Sequence, residues 1–180
     1  RGVGDILGKA QWGHVTAIGY ELYQEMLKDA VDKLQGREPA AEVDPEIRIS
    51  LDAFIPEDYC PDQHLRLGLY KRLFSASADE LMAIADELKD LYGPLPQPVR
   101  SLLFISEVRD VMKKMRFRKL EMLDEVLRLH VSRDSIMDLE KMKRLLERKK
   151  GRLRPEGFLE LPVTESRLTD EIRETLYALA

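Results

Sequence analysis

Cysteine is nearly missing from this 180-residue chain: there is one, Cys60. No disulfide can close within it, and no zinc site can be built on paired thiolates. Such usage suits a reducing compartment, so a cytoplasmic protein is expected. No run approaches 18 uncharged apolar residues, which leaves no candidate membrane-spanning helix. Asp5, Lys9 and His14 break up the apolar stretch that a secretory signal would need.

Catalytic motifs are missing too. A phosphate loop needs Gly-x-x-x-x-Gly-Lys-Ser/Thr, and no segment has it. The opening RGVGDILG has Gly-x-Gly, but no strand precedes it and its third glycine comes one residue too late for the dinucleotide fingerprint. His14, His64 and His130 have no serine or thiol at a spacing that marks a nucleophile–base pair. His130 alternates with Leu129 and Val131, which places it on the exposed face of a strand. The stretch EDYCPDQH, residues 57–64, gathers acids, Cys60 and His64. Its two prolines hold neighbours apart, and Asp62 suits a helix cap, so no metal site is assigned. The expectation is a chain with no catalytic residue, no metal and no cofactor of its own.

What is present is helix-forming and charged. Apolar residues make up 44% and charged residues 34%, with a net charge of -4. That total hides an asymmetry: residues 40–92 carry 5 basic and 12 acidic side chains, and residues 109–154 carry 16 basic and 8 acidic. Such a dipolar layout suits charged partners.

The periodicity predicts a long helix over 15–34, striped by Ile18, Leu22, Met26, Val31 and Leu34 and ended by Gly36. GREPAAEVDPE has no apolar period and reads as a linker over 37–45. Ile47, Ile49 and Leu51 alternate as in a half-buried strand. Asp62 caps a helix to 74 with Leu65, Leu69 and Leu73 on one face. Ser77 and Glu80 form the capping box of the next, which buries Leu81, Ile84, Leu88 and Leu91 and stops at Gly93-Pro94. A third helix over 96–115 turns Val99, Leu102, Ile105, Val108, Met112 and Met115 inward. KLEM and VLRLHV around Asp124-Glu125 read as a hairpin. A basic helix over 135–150 turns Ile136, Leu139, Met142 and Leu146 inward; a strand over 158–163 and a helix over 166–179 follow. The fold class is α+β: a helix-rich domain over 46–180 with a small, mostly antiparallel sheet of about four strands, preceded by a long linker helix.

Two surfaces stand out. On the helix before Gly93, Glu80 and Glu87 flank one edge of the apolar stripe, and Asp90 lies further round toward solvent. Glu87 and Asp90 are i, i+3 neighbours suited to meeting arginines across an interface. The other surface is the basic face of 109–154, in which Lys113, Lys114, Arg116, Lys149 and Lys150 are candidate phosphate contacts for a nucleic acid. Only Phe117 and Phe158 lie near it, too few for a single-strand stacking platform.

RGVGDILGKAQWGH followed by IGYELYQEMLKDAV closely resembles the end of the motor in bacterial transcription-repair coupling factors (the Mfd family). PEIRISLDAFIPEDYCPD, HLRLGLYKRLFSA and ADELKDLYGPLPQPVRSLL resemble that family's C-terminal domain. The likeness is strongest over 1–103 and looser through FRKLE. The resemblance implies a parent protein that moves on double-stranded DNA using ATP and magnesium, displaces stalled RNA polymerase and recruits UvrA. It puts Arg1 and Gln11 in the positions that couple ATP hydrolysis to movement, with the ATPase motifs themselves lying outside this chain. It implies that the C-terminal domain is a regulatory clamp on the UvrB-like module of the same protein, with Glu87 and Asp90 in that interface. Trp12, Cys60 and the MRFRKL turn depart from the family pattern; none touches the acidic pair.

Overall fold

Capping residues set where three of the described helices begin. In the computed structural model, which describes residues 44–131 and 135–180, Asp62 accepts hydrogen bonds from the backbone of His64 and Leu65 and opens α1, Gln63–Ser75. Ser77 opens α2, Ala78–Tyr92, and Asp138 opens the fourth helix in the same way as Asp62 does the first. Each cap satisfies amide groups that have no partner within the helix. The helix expected over 15–34, the segment with Arg1 and Gln11, and residues 37–43 lie outside the described residues.

The long helix α3, Gln97–Lys114, is the hub of the helical layer. It packs against α1, α2 and the last helix, α5, Leu168–Leu179. Its inward residues Val99, Leu102, Ile105, Val108 and Met112 are buried as expected, joined by Met115 just past its end and by Phe104 and Val111. Arg109, also buried, gives Asp44 a bidentate pair at 2.6–2.9 Å, which fastens the start of the domain to this helix.

The sheet has the order β1-β2-β3-β5-β4. β2, Lys119–Leu123, and β3, Val126–His130, form the expected hairpin. Its two turn residues, Asp124 and Glu125, have φ of 46° and 59°, the left-handed pair that a tight two-residue hairpin requires. β5, Phe158–Pro162, continues the antiparallel ladder on β3, and β4, Arg152–Arg154, closes that edge. At the other edge β1, Glu46–Arg48, is parallel to β2. One sheet face carries Ile47, Leu120, Leu127, Leu129, Leu159 and Leu161, all buried. The opposite face is polar: Glu160 binds Arg128 and Arg154 across strands, Glu121 binds Lys119 along β2, and His130 lies 3.2 Å from Glu121. His130 is therefore half-buried in a charge ladder rather than openly exposed.

Several expectations are corrected. The first strand is shorter than 47–51, because Leu51 N bonds back to Ile49 O in a local turn that leaves the ladder. β4 makes five strands among the described residues. The basic helix α4, Leu139–Lys149, starts four residues late: Asp138 caps it, and Ile136 N instead donates to Met115 O. Ile136 and Leu139 are consequently exposed, and Leu145 joins Met142 in the core. In α1 the buried face is Arg66, Leu69, Tyr70 and Leu73, with Leu65 outside, and the Tyr70 hydroxyl accepts from Ile55 N. In α2 Leu91 is exposed. A short 3-10 turn, Glu165–Arg167, precedes α5.

Candidate acidic docking face

Helix α2 is held at both ends and along one flank. At its start the Glu80 carboxylate accepts from Ser77 N at 2.7 Å and from the Ser77 hydroxyl at 2.8 Å. The Ser77 backbone and hydroxyl donors hold that carboxyl below the ordinary glutamate value. Ala78 N donates to Asp110 of α3. At its end Gly93, with φ of 86°, turns the chain in a conformation that side chains disfavour. The Tyr59 hydroxyl lies 3.0 Å from Leu88 O and 3.1 Å from Gly93 O, pinning the last turn to the loop before α1. Leu81, Ile84 and Leu88 bury the inner face.

The three acids named from the sequence therefore have three different situations. Glu80 is a cap. Glu87 is gripped by Arg72 of α1 through two hydrogen bonds at 2.6 and 2.8 Å, and that pairing lowers its carboxyl pKa. Asp90 is exposed and makes no ion pair with another described residue. Glu87 and Asp90 are neighbours on the helix, but Glu87 turns toward α1.

Residues 79, 82, 83, 86 and 90 repeat at helical spacing and all are exposed. The outward face of α2 is thus Asp79, Met82, Ala83, Asp86 and Asp90. Asp86 is partnered by Lys89 at 2.8 Å on the helix surface. Met82 is 71% exposed at the centre of this row, an apolar contact between carboxylates. The sequence reading missed Asp79, Met82 and Asp86 because it started from the buried stripe and looked only at its edges.

The basic candidates are dispersed. Lys113 lies 3.8 Å from Asp44, and Lys114 is 2.7 Å from Asp110. Lys149 is largely buried between Glu171 at 3.0 Å and Glu174 at 3.8 Å. Arg116 and Lys150 are exposed at left-handed positions that end their helices. In the 57–64 stretch, Cys60 is buried, Asp62 caps α1, and Arg66 donates to the carbonyls of Cys60 and Pro61 at 2.5 and 2.9 Å. Among the described residues no three His, Cys, Asp or Glu side chains gather in a metal-holding group. No described helix is long and apolar enough to cross a membrane.

A family profile, the TRCF domain, matches residues 49–142. The chain is 36% identical over 159 residues to a transcription-repair-coupling factor of Myxococcus xanthus, which covers 87% of the chain and 13% of that protein. It is 42% identical over 127 residues to the one of Escherichia coli, covering 67% of the chain and 11% of that protein. The chain thus spans about an eighth of the length of these curated relatives. In fold it is similar to a crystal structure of the C-terminal domain of a transcription-repair coupling factor, with a TM-score of 0.64 at 18% identity over 74% of this chain and 92% of that one.

Proposed function

The chain belongs to the TRCF domain family, and on that premise we propose that it is the non-catalytic regulatory end of a transcription-repair coupling factor, docking through the outward face of α2. In this reading the parent protein is a cytoplasmic, ATP- and magnesium-dependent translocase on double-stranded DNA. It displaces stalled RNA polymerase and recruits UvrA, and Arg1 and Gln11 serve its motor. The domain packs on the parent's UvrB-like module and restrains it until polymerase is engaged.

The observation that carries this reading is Asp90, exposed and unpaired among the described residues, on a helix whose ends are both fastened and whose outer row also holds Met82, Asp79 and Asp86. A rigid acidic row around an apolar side chain suits a basic partner surface, because the helix loses little freedom on docking. Glu87 belongs to the rim of this face, and an arginine arriving there shares the carboxylate with Arg72.

Calorimetric titration of the chain with the UvrB-like module of the same parent tests this. Asp90→Lys is expected to weaken binding at least tenfold, and Glu87→Lys/Asp90→Lys to abolish it. Equal binding by wild type and both variants would remove α2 from the interface, and no binding by wild type would remove the clamp.

A further inference from the structure

The basic side chains fall into two populations once they are placed. Lys113, Lys114 and Lys149 are engaged by carboxylates. Lys141, Arg144 and Arg148 are not: all three are exposed on α4, and none makes an ion pair with another described residue. Spaced three and four residues apart, they fall on one narrow stripe of the helix, spanning about 10 Å along its axis.

The stripe is held outward. Met142 and Leu145 bury the neighbouring face, and Lys149 is locked to Glu171, so α4 cannot roll without breaking both. The nearby acids are largely used. Asp138 accepts from the backbone of Glu140 and Lys141, and Glu140 pairs with Lys143. Asp138 also feels the charges of Lys141 and Arg144, and Glu147 is the exposed acid beside the stripe. Residues 135–154 hold eight basic and three acidic side chains.

The chemistry of the stripe selects its partner. A protein interface centres on a desolvated aromatic or apolar anchor, but here Met142 and Leu145 point inward, and the exposed Leu139 falls at helical spacing on the far side of α4 from the stripe. Single-stranded nucleic acid needs stacking aromatics, and α4 has none. A duplex backbone needs only charge, and it presents about one negative charge per 1.7 Å of axis. We infer that Lys141, Arg144 and Arg148 form a sequence-independent contact for the phosphate backbone of double-stranded DNA. This contact is on a different helix from the α2 face and does not rest on the docking reading.

The test is fluorescence anisotropy of a labelled 20-base-pair duplex with the 180-residue chain, titrated at several salt concentrations. Three phosphate contacts give a log–log salt slope of about -2.7, which is roughly a 40-fold loss of affinity from 50 to 200 mM salt. Each single change to glutamine lowers the slope by about 1. Lys141→Glu/Arg144→Glu/Arg148→Glu is expected to lose at least 30-fold at 50 mM salt, and Lys113→Glu/Lys114→Glu less than 3-fold. The three-glutamine variant, checked by circular dichroism, guards against misfolding of the reversal. Absence of duplex binding at 50 mM salt, equal binding by the glutamine variant, or equal losses in the control variant would each overturn the inference.

Discussion

Thr175 is fully buried in α5, and among the described residues its hydroxyl oxygen has no hydrogen-bond partner. A buried polar atom in that state costs more than an apolar atom of the same shape. Thr175→Val, which swaps the hydroxyl for a methyl group, is therefore expected to raise stability by about 1 kcal/mol; a lower urea midpoint would contradict this. The acids of α2 show where residue-level reading stops. Glu80 and Glu87 fall almost together on a helical wheel, with Asp90 further round. They part company because Ser77 is three residues away on the same chain, whereas Arg72 comes from another helix. Local spacing made the capping box legible, but the angle of a side chain does not say what the facing helix presents to it.

At the scale of the element, legibility follows length and local chemistry. α3 was readable because six inward positions repeat over five turns, and the hairpin because two alternating runs flank a two-residue turn. β4 was not, since Arg-Leu-Arg is too short to show a period, and β5 supplies its registry. The late start of α4 had a readable signal in Asp138, an N-cap residue with Glu140 in the first turn, but the apolar Ile136 and Leu139 outweighed it. Gly151 joins α4 to β4 where there is no room for a side chain. A Cβ there would lie 2.5 Å from Leu161 Cδ2 and 2.8 Å from the Glu160 carbonyl oxygen. The carbonyl belongs to a paired strand and cannot yield, so Gly151→Ala is expected to destabilise the domain by about 1–3 kcal/mol. Chemical denaturation checks it, and a change within 0.5 kcal/mol would mean that α4 and β5 separate more easily than their packing implies.

At the scale of the molecule, folding lowers the pKa of many carboxyl groups. Asp62 and Asp138 are held by backbone amides, Glu87 by Arg72, Glu121 by Lys119 and Glu160 by Arg154. In each case the unfolded chain takes up a proton first as pH falls. Their contribution is fully present above the ordinary values of 3.8 for aspartate and 4.5 for glutamate, and it is lost as pH drops through the lower folded values. Urea unfolding is expected to show stability flat between pH 6 and 8 as far as these groups are concerned and falling steeply below about pH 4.5; an unchanged midpoint at pH 3.5 would refute it. The α+β class and the antiparallel hairpin were legible from sequence, but the pairing of β1 with β2 was not, because nothing local couples residues so far apart. That pairing has a consequence in time. A chain grows from its N-terminus at about 5–20 residues per second, and β1 leaves the ribosome about 70 residues ahead of the strand it joins. For roughly 4–14 seconds the apolar Ile47 has no native neighbour on β2 to cover it, so during synthesis the first strand of the sheet must wait for the hairpin that seats it.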